Sequence, residues 1–151
     1  IRSESTRIVV QRTIPYPMLT TFDAPDGNVT CTRRDRSNTP LQALTLLNDG
    51  GFFECARALG LRLATATEQK PEAGIRQLFR LCLARAPQAW ELSRCLSLFG
   101  EQTDLYASDP ELAQRAVGVT PPAPTSHLAT CAAWIGVART VMNTDEFITR
   151  E

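Results

Sequence analysis

Lysine is almost missing from this chain: Lys70 is the only one, and every other cationic side chain is an arginine. Arginine forks onto carboxylates in planar two-point pairs that lysine cannot reproduce. The bias reads as a preference for specific ion pairing or as the mark of a GC-rich genome. Net charge is also lacking, since Lys+Arg and Asp+Glu stand at 16 each. That balance removes bulk electrostatics as a reason to bind nucleic acid or an acidic membrane surface. No run approaches the ~20 consecutive apolar residues of a membrane-spanning helix, so membrane insertion is not expected. The single histidine, His127, would have to serve any Ser-His-Asp or Cys-His-Asp system, and no nucleophile-elbow motif accompanies it. It follows a proline-rich connector at a helix start, where an incidental, exposed role is expected.

Cysteine is present but without a chemical pattern. The five, Cys31, Cys55, Cys82, Cys95 and Cys131, include no C-x-x-C pair and no C-x-x-C-H. Zinc-ribbon, thioredoxin-type and covalent-haem readings therefore fail, and no cofactor or metal is expected. Those that fall on apolar helix faces read as small buried hydrophobes. One disulfide that uses Cys82 or Cys95 is the other reading. The chain begins at Ile1 without an initiator methionine or the parts of a signal peptide, so a processed product or a fragment is expected.

What is there suits one globular domain. The 151 residues are 43% hydrophobic, enough for a core of its own. Residues 1–38 do not read as helix. Ile8, Val9 and Val10 form a short β-prone run, and Ile14-Pro15-Tyr16-Pro17 forces extended backbone. Turn residues crowd Asp23 to Asn28, and a short strand or one helical turn is expected at Met18 to Phe22. From residue 39 the pattern turns helical. Thr39, Pro40 and Gln42 make a capped start, with Leu41, Leu44, Leu46 and Leu47 following, and the Asn48-Asp49-Gly50-Gly51 run reads as a glycine stop. A second helix from about Gly51 to Thr65 would turn Phe52, Cys55, Ala56, Leu59 and Leu63 inward. Ile75, Leu78, Phe79, Cys82 and Leu83 repeat at amphipathic spacing. Pro87 then opens a helix with Leu92, Cys95, Leu96 and Phe99 on its inner face. Asp109 caps a short helix to about Val117, residues 120–125 form a stiff polyproline connector, and Ser126 caps a last helix with Leu128, Cys131, Ile135, Ala138 and Met142 inward. The predicted fold is all-α: an irregular bundle of five or six helices over residues 39–151, with an extended, mostly irregular N-terminal arm over residues 1–38.

Several separated runs carry a family resemblance. They are residues 12–25, beginning Arg12-Thr13-Ile14-Pro15-Tyr16-Pro17; residues 31–44, ending Asn38-Thr39-Pro40-Leu41-Gln42-Ala43-Leu44; Leu47-Asn48-Asp49; Phe79-Arg80-Leu81-Cys82-Leu83-Ala84-Arg85; and the closing run, residues 143–151. Together they resemble the Planctomycete secreted domain of unknown function, over nearly the whole chain. The resemblance implies the C-terminal part of a longer domain, in exported proteins that often carry a cytochrome-c-like part as well. It implies a periplasmic or secreted location. It brings no catalytic residue, and since the cytochrome-like part is missing here, no haem.

The charged residues offer two kinds of candidate. Asp23, Asp26 and Asn28 share one turn, where a calcium site is conceivable but EF-hand spacing is not met and turn structure is the simpler reading. Arg33, Arg34 and Arg36 precede the first capped helix. They could hold an anion together with the helix-end amides. The favoured reading is that they fork onto Asp23, Asp145 or Glu146 and tie the arm to the bundle. Trp90 and Trp134 are core residues or interface anchors. Asn28-Val29-Thr30 matches a glycosylation acceptor that a bacterial source would leave unused. The function expected is a non-catalytic helical interaction or structural module of an exported protein. It would dock on other domains or on a periplasmic assembly, including one with c-type cytochromes. The competing expectation is part of a polymer- or polysaccharide-degrading enzyme, with Asp23, Asp26 and Glu146 as the carboxylates to test and the site completed by residues N-terminal to this chain.

Overall fold

The computed structural model describes residues 17–25, 30–32, 37–66, 70–118 and 127–149. The described residues form eight helices, six of them of seven or more residues, and contain no strand. The fold is all-α. The β-prone run at residues 8–10 and the polyproline connector lie outside the described residues. Two compact units divide the chain, Ile1–Leu44 and Thr45–Glu151.

In the first unit, α1 (Pro17–Thr21) is the single helical turn expected near Met18. Its end is a Schellman-type stop. Ala24 N–H donates to Leu19 O at 2.8 Å and Asp23 N–H to Thr20 O at 3.3 Å, with Asp23 at φ 54° in the left-handed position. Aspartate tolerates that conformation better than most residues. Next comes α2 (Pro40–Asn48), whose start is the reciprocal box that Thr39 and Gln42 predict. Thr39 N–H donates to Gln42 Oε1 at 2.9 Å, and Gln42 N–H to Thr39 Oγ1 at 3.3 Å. The expected leucine face is only partly buried, for Leu41 is 59% and Leu44 54% exposed while Leu46, in the second unit, is buried.

In the second unit, α3 (Gly50–Ala66), α4 (Pro71–Leu83), α5 (Ala89–Ser108) and α6 (Pro110–Val117) surround α7 (Leu128–Met142), and α8 (Asp145–Ile148) closes the described chain. Two expectations about α2 and α7 are corrected. The Gly50-Gly51 pair does not stop α2 with a left-handed turn; it opens α3. Asp49 makes the joint, its Oδ1 accepting from Gly51 N–H at 2.8 Å and Phe52 N–H at 3.3 Å. This is N-cap chemistry, and it outcompetes a glycine stop. The other correction concerns α7, which is not one-faced: Cys131, Ala132, Ala133, Trp134, Ile135, Val137, Ala138, Val141 and Met142 are all buried. Helices on several sides remove the need for a polar stripe. Small side chains along α7 also let its neighbours come close. A Cβ on Gly60 of α3 would lie 2.7 Å from Ile135 Cα and N, so this glycine is where the two backbones meet. Phe99 of α5 packs on Trp134 with ring centroids 4.7 Å apart. Cys82, Cys95 and Cys131 are buried as free thiols, so the disulfide reading for Cys82 or Cys95 fails. Cys55, placed inward by spacing, is exposed.

Candidate functional site

Two polar clusters of several residues stand out among the described residues, one in each unit. The first centres on Gln42, which is 1% exposed. A buried amide is costly unless its hydrogen bonds are made. Gln42 Nε2 donates to Thr21 O at 2.9 Å and Ser37 Oγ at 3.0 Å, and more weakly to Asp23 Oδ2 at 3.4 Å. Ser37 completes the circuit, since its N–H and Oγ–H donate to Asp23 Oδ2 at 2.8 and 2.7 Å. These donors, the Ser37 hydroxyl first, hold the Asp23 carboxyl below its ordinary range. The left-handed stop of α1 is thus what aims Asp23 at the start of α2. The arginines predicted to pair with Asp23, namely Arg33, Arg34 and Arg36, lie outside the described residues, as do Asp26 and Asn28.

The second cluster is a junction at Arg85, between α4 and α5. Ala84 ends α4 in the left-handed conformation, φ 57°, and the chain turns back at once. Arg85 Nη1 and Nη2 reach Glu91 Oε2 and Oε1, both at 2.7 Å. Its Nε and Nη2 reach Glu146 Oε1 and Oε2 at 2.7 and 2.6 Å. Nη1 also donates to Ala86 O at 3.1 Å, and the guanidinium carbon sits 5.4 Å from the Phe79 ring centroid. One cation is therefore shared by two forked carboxylates, the strongest geometry such a pair can take. Glu91 also accepts from Gln88 N–H at 2.7 Å, which caps α5. Hydrogen bonds to Arg85 hold both carboxyls below their ordinary range, and the two carboxylates in turn raise Arg85, Glu91 more than Glu146.

Beside this junction stands Trp90, 67% exposed on the first turn of α5. Its Nε1–H donates to Gln88 Oε1 at 2.7 Å, which fixes the ring's edge while leaving its faces to solvent. Trp134, the other tryptophan, is 2% exposed and lies in the core. Asp145 starts α8, and its Oδ1 accepts from Thr149 Oγ1 at 3.2 Å. His127 is exposed at the start of α7, and the predicted cap, Ser126, lies outside the described residues. Between α8 and the end of α4 is an open depression of about 590 Å³, lined by residues 81–84 and by Asp145, Glu146 and Thr149.

The sequence brought out Glu146 as an ion-pair candidate and Trp90 as a core or interface candidate, each by residue type, but missed Arg85 and Glu91 as a centre. The local signal for Glu91 was its position three residues after Gln88, the offset of a helix-capping acid. Nothing local marks the contact from Arg85 to Glu146 across 61 positions.

Among the described residues, no group of three or more His, Cys, Asp or Glu is placed to hold a metal ion, and no helix is long and apolar enough to cross a membrane. No curated protein and no solved structure matches the chain. Residues 2–99, well over half of the 151, match the family described as PSD1, protein of unknown function (DUF1553). The matched stretch holds the Asp23–Ser37–Gln42 cluster and the Arg85, Trp90 and Glu91 part of the junction; Glu146 and the closing run fall beyond it. This chain belongs to the PSD1 (DUF1553) family of proteins of unknown function.

Proposed function

We propose that this chain is a non-catalytic helical interaction module of an exported protein, one that docks on other domains or on a periplasmic assembly, including one that contains c-type cytochromes. The observation that carries this reading is Trp90. A tryptophan 67% exposed leaves a large apolar ring in water, and the helix start that bears it is clamped by Glu91 to Arg85. A rigidly presented aromatic loses little conformational entropy on contact, and tryptophans and arginines dominate the energetics of protein interfaces. The other exposed large apolar side chains of the second unit, Leu81, Leu96 and Leu105, also lie on α4 and α5.

Two of the carboxylates that an enzymatic reading would use are arranged against a general-acid role. Glu146 gives both oxygens to Arg85, and Asp23 is held by Ser37 and Gln42. A general acid needs a raised pKa, and both of these are lowered. Family membership brings no reaction.

The test is to express the parent exported protein in its native envelope with Trp90→Ala and to isolate it under mild conditions. The docking reading expects partners recovered with the native protein to be lost from the variant while its melting temperature stays unchanged. Equal recovery of partners by both proteins would overturn it.

A further inference from the structure

We infer that the outer face of α5 pairs with the same face of a second copy of this chain, antiparallel, about a two-fold axis level with residue 99. The pairing rests on the reading that the face around Trp90 is a docking surface, and it names what docks there. Trp90, Arg94, Ser97, Glu101, Asp104 and Ser108 are all exposed and follow one another at intervals of four, three, four, three and four residues. That alternation, roughly 3.5 residues on average, is how one helix lays a continuous seam along another. The spacing is the same from either end, so a reversed copy matches it position by position. Arg94 then stands opposite Asp104 and Ser97 opposite Glu101. Trp90 stands opposite Ser108, with Leu105, 48% exposed, beside it.

Charge selects both the partner and its direction. Arg94 and Asp104 make no ion pair and no side-chain hydrogen bond among the described residues. Within one helix they lie roughly 15 Å apart along the axis, too far to meet. Between antiparallel copies each meets the other, twice over by symmetry. Glu101 accepts from Ser97 Oγ of its own helix through Oε1 at 2.8 Å, which leaves Oε2 to face Ser97 of the second copy. Parallel copies would instead set Arg94 against Arg94 and Asp104 against Asp104. A foreign helix would need the reverse order of charges, which this helix already carries. Such a contact uses one patch on both copies and closes on itself. A seam one helix wide with a polar centre covers less than a stable dimer needs. The copies therefore separate on dilution, and Trp90 stands open in the dilute chain.

Sedimentation equilibrium of the 151-residue chain, carried up to about 1 mM at low salt, tests the pairing. The native chain should self-associate to a dimer. Arg94→Glu and Asp104→Arg should each weaken that association by about tenfold or more, because each sets like charges opposite one another. Mixing the two single variants should restore a dimer, since each then meets its opposite in the other chain, and the double variant should pair with itself. A native chain that stays monomeric throughout would overturn the pairing. So would single variants that associate as the native chain does, or a mixture that does not recover. If the chain is monomeric and Trp90→Ala still loses partners in the native envelope, the pairing alone falls; the docking reading stands with a different protein as occupant.

Discussion

Gly60 shows how a single missing methyl group sets the approach of two helices. Its Cα faces the backbone of Ile135, and backbone cannot swing aside as the tip of a long side chain can. Gly60→Val is therefore expected to push α3 off α7 and to lower stability by about 1–3 kcal/mol, the range for overpacking a well-filled core. Urea denaturation of the variant checks this; an unchanged midpoint would mean that the helices are further apart than the structure has them. By helix propensity alone, a glycine inside a helix is only a mild weakness. The role of Gly60 is a contact with a residue 75 positions away, and no local pattern encodes that. Asp23 and Gln42 teach the converse. The Thr39–Gln42 box was legible because all its parts lie within one turn, whereas the bond from Gln42 back to Thr21 was not.

Among the elements, the joint between α2 and α3 carries the most direct prediction. Asp49 caps α3 through the Gly51 and Phe52 amides of its first turn, where the helix itself supplies no acceptor. Asp49→Ala should cost about 1 kcal/mol, as for other N-cap losses, and speed amide exchange at Gly51 and Phe52 first. Exchange at those two amides no faster than in the native chain would rule the cap out. Helix ends with chemistry of their own were well anticipated: Asp109 accepts from Leu112 N–H at 2.9 Å and starts α6 where Asp109-Pro110-Glu111 foretold it. Helix faces were anticipated less well. Leu96 was assigned to the inner face of α5 and is 36% exposed, and Cys55 was placed inward on α3 and is exposed. Spacing gives the direction of a face only where one neighbour dominates, and α7 with helices on several sides has no single face to give.

On the scale of the whole molecule, acid and alkaline limits of stability follow from groups already described. The carboxyls of Asp23, Glu91 and Glu146 are lowered in the folded chain by the donors that hold them. Their contribution is therefore complete above the ordinary carboxylate range and is lost as pH falls through their folded values. At the other end, burial raises the thiols of Cys82, Cys95 and Cys131, with Glu91 adding to the shift at Cys95. Unfolded thiols ionise first, so stability declines as pH rises beyond about 8.5. Thermal melts should accordingly show a plateau between about pH 5 and pH 8 with a fall on either side. A melting temperature that keeps rising below about pH 4 would contradict the carboxylate assignments.

The account as a whole turns on whether the face around Trp90 is covered in the assembled protein. Hydroxyl-radical footprinting read by mass spectrometry can compare the two tryptophans in the isolated chain and in the chain within its native cells. Trp134, 2% exposed, serves as the internal standard and should be protected in both settings. Trp90, 67% exposed, should be oxidised readily in the isolated chain and protected in the assembly. Equal oxidation of Trp90 in both settings would contradict the claim that this chain works by docking.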